Sequence, residues 1–311
     1  MEVLLQINGT HITNLNKSFN PLFIGFGKQA LEYAKVLKSL DIKISSVCVT
    51  NIKKNKKNLI KYQVTNVYND IKKAINAKKY NCIFVFLPWN LIEKKIPYII
   101  RNTKKKIYCE KPIALSLKSL SKINKLSQMY NKELYVLYNR RYYNIYSTLK
   151  KKLKKNYSVE VNIPEKIDLT LKKIDKRLKG KIKYHLTSHW MDFFISLTNK
   201  KIMNIKKVKN SYIFFLNGTK NRIVITPNIQ GSIEATFKSG NLIYKLETLE
   251  KMEIFNAKQK KVIKRFDEFK NNKFKPGILN LLKSILLNKK NILPKTNELL
   301  KLYKSLSFLP F

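Results

Sequence analysis

An apolar run ending at Ile24 passes directly into Gly25-Phe26-Gly27-Lys28-Gln29-Ala30 and then into a segment of helical periodicity. The G-x-G-x-x-A spacing is that of a strand–turn–helix. Its glycines permit a tight turn and close backbone approach to a phosphate, and its small third residue lets the helix lie on the sheet. The helix N-terminus adds partial positive charge at the same point. The chain holds only eight glycines, so two of them at this turn weigh toward a ligand rather than a bare loop. Such a turn commits the downstream chain to parallel strands covered by crossover helices.

The apolar periodicity after Ala30 is consistent with this. Leu22–Ile24 reads as a short buried strand, Ala30–Leu40 as a helix, Ile42–Val49 as a strand and Tyr68–Ala77 as a helix. Cys82–Leu87 reads as a buried strand ending at Pro88, with helix Leu91–Arg101, strand Ile107–Cys109, helix Ser116–Tyr130 and strand Glu133–Tyr138 after it. Beyond Asn139 the rhythm changes. Helical segments at Ile145–Leu153 and His189–Leu197 are mixed with short strands at Val159–Ile163, Ser211–Leu216, Arg222–Pro227, Ser232–Phe237 and Leu242–Thr248. Turn signals such as Asn217-Gly218 and Ser239-Gly240 between them predict a largely antiparallel sheet. The tail, Gly277–Leu287 and Glu298–Ser307, is again helical.

The expected fold class is therefore α/β with an α+β second part. A dinucleotide-binding Rossmann domain spans 20–139, and an α+β domain with an open sheet, serving substrate binding and oligomerisation, spans 140–311. Residues 1–19 form an appendage, with a small hairpin around Asn8-Gly9.

The formal charge of +45 suggests a polyanion partner, but only six of the 64 basic residues are arginine, the residue that reads nucleic acid through bidentate and stacking contacts. Lys, Asn and Ile are abundant while Gly and Pro are scarce, the skew that an AT-rich genome imposes through its codons. The lysines are spread along the whole chain and read as solvated faces, so no specific nucleic-acid partner is expected. No uninterrupted apolar run is long enough for a transmembrane helix, and no membrane partner is expected. Cys48, Cys82 and Cys109 sit singly in strand-like runs and read as buried free thiols, placing the chain by default in the cytoplasm.

At the end of the second strand, where a carboxylate would bind a ribose 2′-hydroxyl, the chain has Thr50-Asn51 followed by Lys53 and Lys54. The cofactor expected is NADP or NAD, with the absent carboxylate tilting toward NADP. A second constellation is Glu110-Lys111-Pro112, at the carboxyl end of a strand, where ligands bind in an open α/β sheet. A proline there can take a cis bond that aims the preceding side chain into the cleft. A lysine desolvated beside a cationic nicotinamide falls below its usual ~10.4 and can trade a proton with a substrate hydroxyl or carbonyl. A third is His185-Leu186-Thr187-Ser188-His189-Trp190-Met191-Asp192, in which His189 and Asp192 share a helix face, so that the carboxylate could orient the imidazole. No cluster of metal-ligating residues accompanies it.

Together with Leu87-Pro88 and Tyr138-Asn139-Arg140-Arg141-Tyr142, these strings resemble the Gfo/Idh/MocA oxidoreductases, named for glucose–fructose oxidoreductase and inositol dehydrogenase. Leu246-Glu247-Thr248-Leu249-Glu250 and Phe274-Lys275-Pro276-Gly277 are similar to a branch found with surface-sugar biosynthesis. The resemblance implies hydride transfer between NAD(P) and a carbon of a sugar or nucleotide-sugar by a homo-oligomer. It makes Lys111 the acid/base and His189 its partner or the base itself. Gly25, Phe26, Gly27, Lys28, Gln29, Ala30, Thr50, Asn51, Leu87, Pro88, Glu110 and Pro112 would lie on the cofactor side, and Asn139, Arg141, His185 and Asp192 on the substrate side.

There are two departures. His185 stands where many members place an aspartate, and the histidine that often comes after the Pro88-type turn is replaced by Ile92 or its neighbours. The alternative is a Rossmann-type protein kept for binding, either a redox-silent sensor or a polyanion-binding protein.

Overall fold

A computed structural model describes residues 19–153, 156–172, 178–218, 220–270, 273–289 and 292–311. The expected N-terminal hairpin lies outside them.

Six parallel strands form the first sheet: β1 (Pro21–Ile24), β2 (Ser46–Cys48), β3 (Asn66–Tyr68), β4 (Cys82–Val85), β5 (Lys106–Cys109) and β6 (Leu134–Val136). Their order is β3-β2-β1-β4-β5-β6, so the direction of winding reverses between β1 and β4 and opens a crevice at their carboxyl ends. Both strands are wholly buried, with Phe23 opposite Phe84. The sheet is covered by helices, among them α1 (Lys28–Ser39), α2 (Ile52–Lys61), α3 (Ile71–Asn76), α4 (Trp89–Asn102) and α5 (Leu117–Met129). Ser116 caps α5 by accepting from Ser119 N–H at 3.0 Å.

After a single 3₁₀ turn, Asn139–Tyr142, come α6 (Asn144–Lys152), β7 (Ser158–Glu165), α7 (Ile167–Leu171), α8 (Ile182–His185) and α9 (Thr187–Thr198). Seven more strands follow: β8 (Ile202–Val208), β9 (Ser211–Leu216), β10 (Arg222–Pro227), β11 (Glu234–Ser239), β12 (Leu242–Glu247), β13 (Lys251–Asn256) and β14 (Lys261–Asp267). They join β7 in an eight-stranded sheet, β14-β13-β12-β11-β7-β10-β9-β8, antiparallel except for β7 against β10. One face packs on α6 and α9, where Phe193 and Phe194 meet Phe237 in the shared core.

The last two helices, α10 (Ile278–Leu286) and α11 (Thr296–Leu306), return to the first layer. Leu281 and Leu282 join the core around Phe23 and Tyr33. Tyr303 donates to Ala114 O at 3.1 Å, and Thr296 donates to the Asn124 side chain at 2.9 Å.

The strand expected over Ile42–Val49 shortens to Ser46–Cys48. Ile42 and Ile44 are buried and so produce an apolar pattern without joining the ladder. The helix expected from Tyr68 begins at Ile71, because Tyr68 ends β3 and Asp70 supplies the cap, accepting from Lys73 N–H at 2.9 Å. Cys48, Cys82 and Cys109 are buried and free. Among the described residues no helix is long and apolar enough to cross a membrane.

Candidate active site

Gly25 leaves β1 with φ +91°, and its N–H donates to Cys48 O at 2.8 Å. A Cβ at Gly25 would fall 2.6 Å from Phe86 O, so the turn requires glycine both conformationally and sterically. Phe26 turns inward, 2% exposed, against the edges of Phe23 and Tyr62. Gly27 is different. It caps α1 in extended conformation (φ −85°), and a Cβ there would meet nothing within 4 Å. Ala30 is fully buried, which lets α1 lie on the sheet. No side chain caps the helix and no acidic residue stands in its first turn, so its free N–H groups present a bare positive end to an anion. These residues fit a dinucleotide pyrophosphate: an open cradle at Gly27 beside an unneutralised helix terminus.

Lys28 is exposed, and Gln29 accepts from Lys275 Nζ at 3.0 Å. Thr50 and Asn51 are exposed at the end of β2, but the Asn51 side chain is committed to capping α2, accepting from Lys54 N–H at 2.8 Å. No carboxylate occupies this position.

The carboxyl ends of β4 and β5 and the 3₁₀ turn converge on a cavity of about 480 Å³, closed from the other side by α8 and α9. Leu87, Pro88, Trp89, Glu110, Lys111, Asn139, His185 and His189 line it. The Lys111–Pro112 peptide is cis, and Lys111 Nζ donates to His185 O at 2.9 Å. Burial drives the Lys111 amine below the usual lysine range, against the attraction of Glu110. Burial likewise drives the Glu110 carboxyl upward, against Lys111 and Lys275, and its Oε2 has no partner among the described residues.

His185 lies on Trp89, with ring centroids 4.4 Å apart. Burial, then the Lys111 charge, pulls its pKa down to about 3. His189, between Tyr138 and Trp190, is held far below the usual imidazole range by burial first and then by Arg140 and Lys111. Both imidazoles are neutral at physiological pH, and the Nδ1 of each lacks a partner among the described residues.

Asp192 does not orient His189. Its two oxygens accept from Arg141 Nε at 2.9 Å and Nη2 at 2.6 Å, and Arg141 Nη1 also donates to Ile292 O. This buried bidentate pair stands outside the cavity, lining a different groove with Tyr146 and Leu302. Asp192 stands one turn from His189 on α9, but an Arg–carboxylate fork outcompetes a neutral imidazole for both oxygens. Asn139 reaches the cavity wall and works as a clamp. Its Nδ2 donates to Pro276 O at 2.9 Å, and Gly277 packs so close that a Cβ there would fall 2.3 Å from Asn139 O.

A family model described as the oxidoreductase family, NAD-binding Rossmann fold (Gfo/Idh/MocA), matches residues 19–138. Over residues 19–138 the chain has the NAD-binding Rossmann domain of the Gfo/Idh/MocA oxidoreductases.

The two-layer fold as a whole is that of solved structures at low identity. A dehydrogenase from Clostridium difficile is 19% identical with a TM-score of 0.73, covering 92% of this chain and 99% of that one. UDP-N-acetylglucosamine 3-dehydrogenase from Acidithiobacillus ferrooxidans is 9% identical with a TM-score of 0.72, covering 94% and 96%. A super-repressor mutant of Gal80p from Saccharomyces cerevisiae is 11% identical with a TM-score of 0.73, covering 94% and 96%. No curated protein matches the chain.

Within this fold the cavity also holds residues that motif spacing did not single out: Trp89, Arg140, Glu250 and Lys275. Arg140 takes the place in the cavity expected of Arg141, its guanidinium 3.6 Å from the Trp190 ring centre. Behind it, Glu165 is buried with Oε1 unpartnered among the described residues, and burial raises its carboxyl to about 7. The available signals were the placement of both tryptophans next to motif residues and the string Phe274-Lys275-Pro276-Gly277. Neither assigns a role by itself.

Proposed function

We propose that the chain is an NAD(P)-dependent oxidoreductase moving a hydride between the nicotinamide and a hydroxyl-bearing carbon of a sugar or nucleotide-sugar. The observation that carries this reading is Lys111, a desolvated lysine at the end of β5 whose cavity adjoins the dinucleotide crevice. Bound NAD(P) supplies a two-electron acceptor for the hydride leaving the substrate C–H. Neutral Lys111 takes the hydroxyl proton as the C–O bond becomes a carbonyl, and returns it in the reverse direction. His189, neutral and without a partner at Nδ1 among the described residues, orients the reacting hydroxyl. Trp89 and Trp190 bring aromatic surface to the cavity wall. Glu110, Leu87, Pro88 and Pro112 support the nicotinamide side.

Absence of a carboxylate near Thr50, Asn51 and Lys53 favours a 2′-phosphate there, hence NADP. Ile213 and Val224, paired and part-exposed on the outer face of the eight-stranded sheet, support a homo-oligomer. Three reduced thiols suit the cytoplasm.

Lys111→Met is expected to retain NADH affinity while turnover on the best sugar of a panel falls about 10²- to 10⁴-fold. Near-normal turnover would remove Lys111 from the chemistry. Because the Lys111 amine must be neutral to accept a proton, wild-type oxidation rates rise with pH through its lowered pKa, and that limb disappears in the variant. The second reading, a redox-silent sensor, is favoured by the fold likeness to a repressor and by His185 standing in place of the expected aspartate. It predicts tight dinucleotide binding with no turnover on any sugar.

A further inference from the structure

Three basic side chains meet in the cavity, with Glu165 buried behind Arg140. Lys111, Arg140 and Lys275 line it together, against Glu110 and Glu250. Arg140 is held in a fixed plane. Its guanidinium lies 3.6 Å from the Trp190 ring centre, and its side chain is only 13% exposed. Its one ion pair among the described residues is long, 3.8 Å from Nη2 to Glu250 Oε1, and that same oxygen also accepts from Tyr143 OH at 3.2 Å. Arg140 Nε and Nη1 have no acceptor among the described residues. Leaving donors of a buried cation unpaired is costly, and a protein tolerates this where a ligand completes the set.

Lys275 stands on the same wall, anchored to Gln29 at 3.0 Å and delivered by the Pro276–Gly277 segment that Asn139 clamps. A cavity of about 480 Å³ corresponds to roughly 16 waters at ~30 Å³ each. Arg140 lines the same cavity as Lys111, near enough for its charge to help lower the lysine amine, so an anion it receives sits beside the reacting centre. A planar fork held in a desolvated pocket receives an acid group through paired hydrogen bonds, and a ring carboxylate can reach it from beside the reacting carbon.

From this we infer that the substrate is an anionic sugar, a uronic acid or its nucleotide ester, whose ring carboxylate is received by Arg140 with Lys275 as the second cation. This rests on the oxidoreductase reading and narrows it. The reaction that supplies such a substrate is an oxidation of the sugar's primary alcohol to the acid.

Both tryptophans of the chain line this cavity, so quenching of intrinsic fluorescence reports its occupancy. The test titrates NADH-saturated protein with UDP-glucuronate against UDP-glucose, and with glucuronate against glucose, in wild type and Arg140→Met. The expected result is an affinity for each acid about 10- to 100-fold above its neutral twin in wild type, falling to near parity in Arg140→Met while NADH binding holds. Equal affinity for UDP-glucuronate and UDP-glucose, both far above glucose, would overturn the inference by assigning the cations to the diphosphate. NADH binding with no preference within either pair would also overturn it and leave the oxidoreductase reading standing. Failure to bind NADH or NADPH would instead remove that reading itself. Should Arg140→Met not fold, the wild-type comparison alone decides.

Discussion

Gly25 and Gly27 belong to one motif, yet the structure separates their roles. At Gly25 the backbone is left-handed and a Cβ would press on Phe86 O at 2.6 Å. Gly25→Ala therefore takes on about 1–2 kcal/mol of conformational strain, and relieving the overlap moves β1 against β4. At ~2–4 °C per kcal/mol, the thermal midpoint should drop by several degrees or more. At Gly27 the backbone is extended and a Cβ finds open space, so Gly27→Ala should leave the midpoint within ~1 °C. The added methyl instead occupies the approach to the α1 N-terminus. Denying a pyrophosphate one charge-assisted hydrogen bond, worth about 1.5–3 kcal/mol, weakens NADH binding roughly 10- to 150-fold. Differential scanning fluorimetry and calorimetric titration on the two variants read both quantities. A Gly27→Ala protein that binds NADH like wild type would refute the assignment of this turn as the cradle.

Asp192→Asn should lower stability by about 3–5 kcal/mol by stranding the Arg141 guanidinium, while turnover per folded molecule stays near wild type; equal stability by urea denaturation would show that the pair contributes nothing. Glu165 tests the linkage between burial and pH. Its folded pKa, about 7, lies above the unfolded value, so the folded state is penalised progressively as pH rises from ~4.5 to 7. Glu165→Gln should therefore gain thermal stability relative to wild type on going from pH 5 to pH 8, by up to ~1–3 kcal/mol; a pH-independent difference between the two melting curves would contradict a strained buried carboxyl.

The Rossmann half was legible because its strands are buried on both faces and read as short apolar runs, and because β1, Gly25 and α1 follow one another without interruption. Several of the elements that escaped lie at edges and on solvated surface, although β13, an interior strand of the second sheet, escaped too. Helix α2, IKKNKKNLIK, buries only Leu59, so it carries no apolar face to mark it as a helix. Strands β8 and β14 are the two edges of the second sheet, mostly exposed and lysine-bearing, which is how edge strands avoid pairing with other chains. At the site, Lys111 and His189 stood out from the strings around them, and the fold brings both to one cavity. The resemblance put Arg141 on the substrate side, whereas Arg140 is the one that lines the cavity. Adjacent residues on a 3₁₀ turn point in different directions, and only the position of Asp192 on α9 decides which one the interior claims. Lys275 comes from a segment 164 residues beyond Lys111, and its place in the cavity depends on Asn139 clamping Pro276 and on a glycine at 277.

The most direct measurement of the central claim is a calorimetric titration of the folded protein with NADH and with NADPH at physiological salt. The account predicts micromolar binding of at least one, with NADPH the tighter because no carboxylate guards the end of β2. Binding of neither by protein with a cooperative melting transition would contradict the oxidoreductase reading outright.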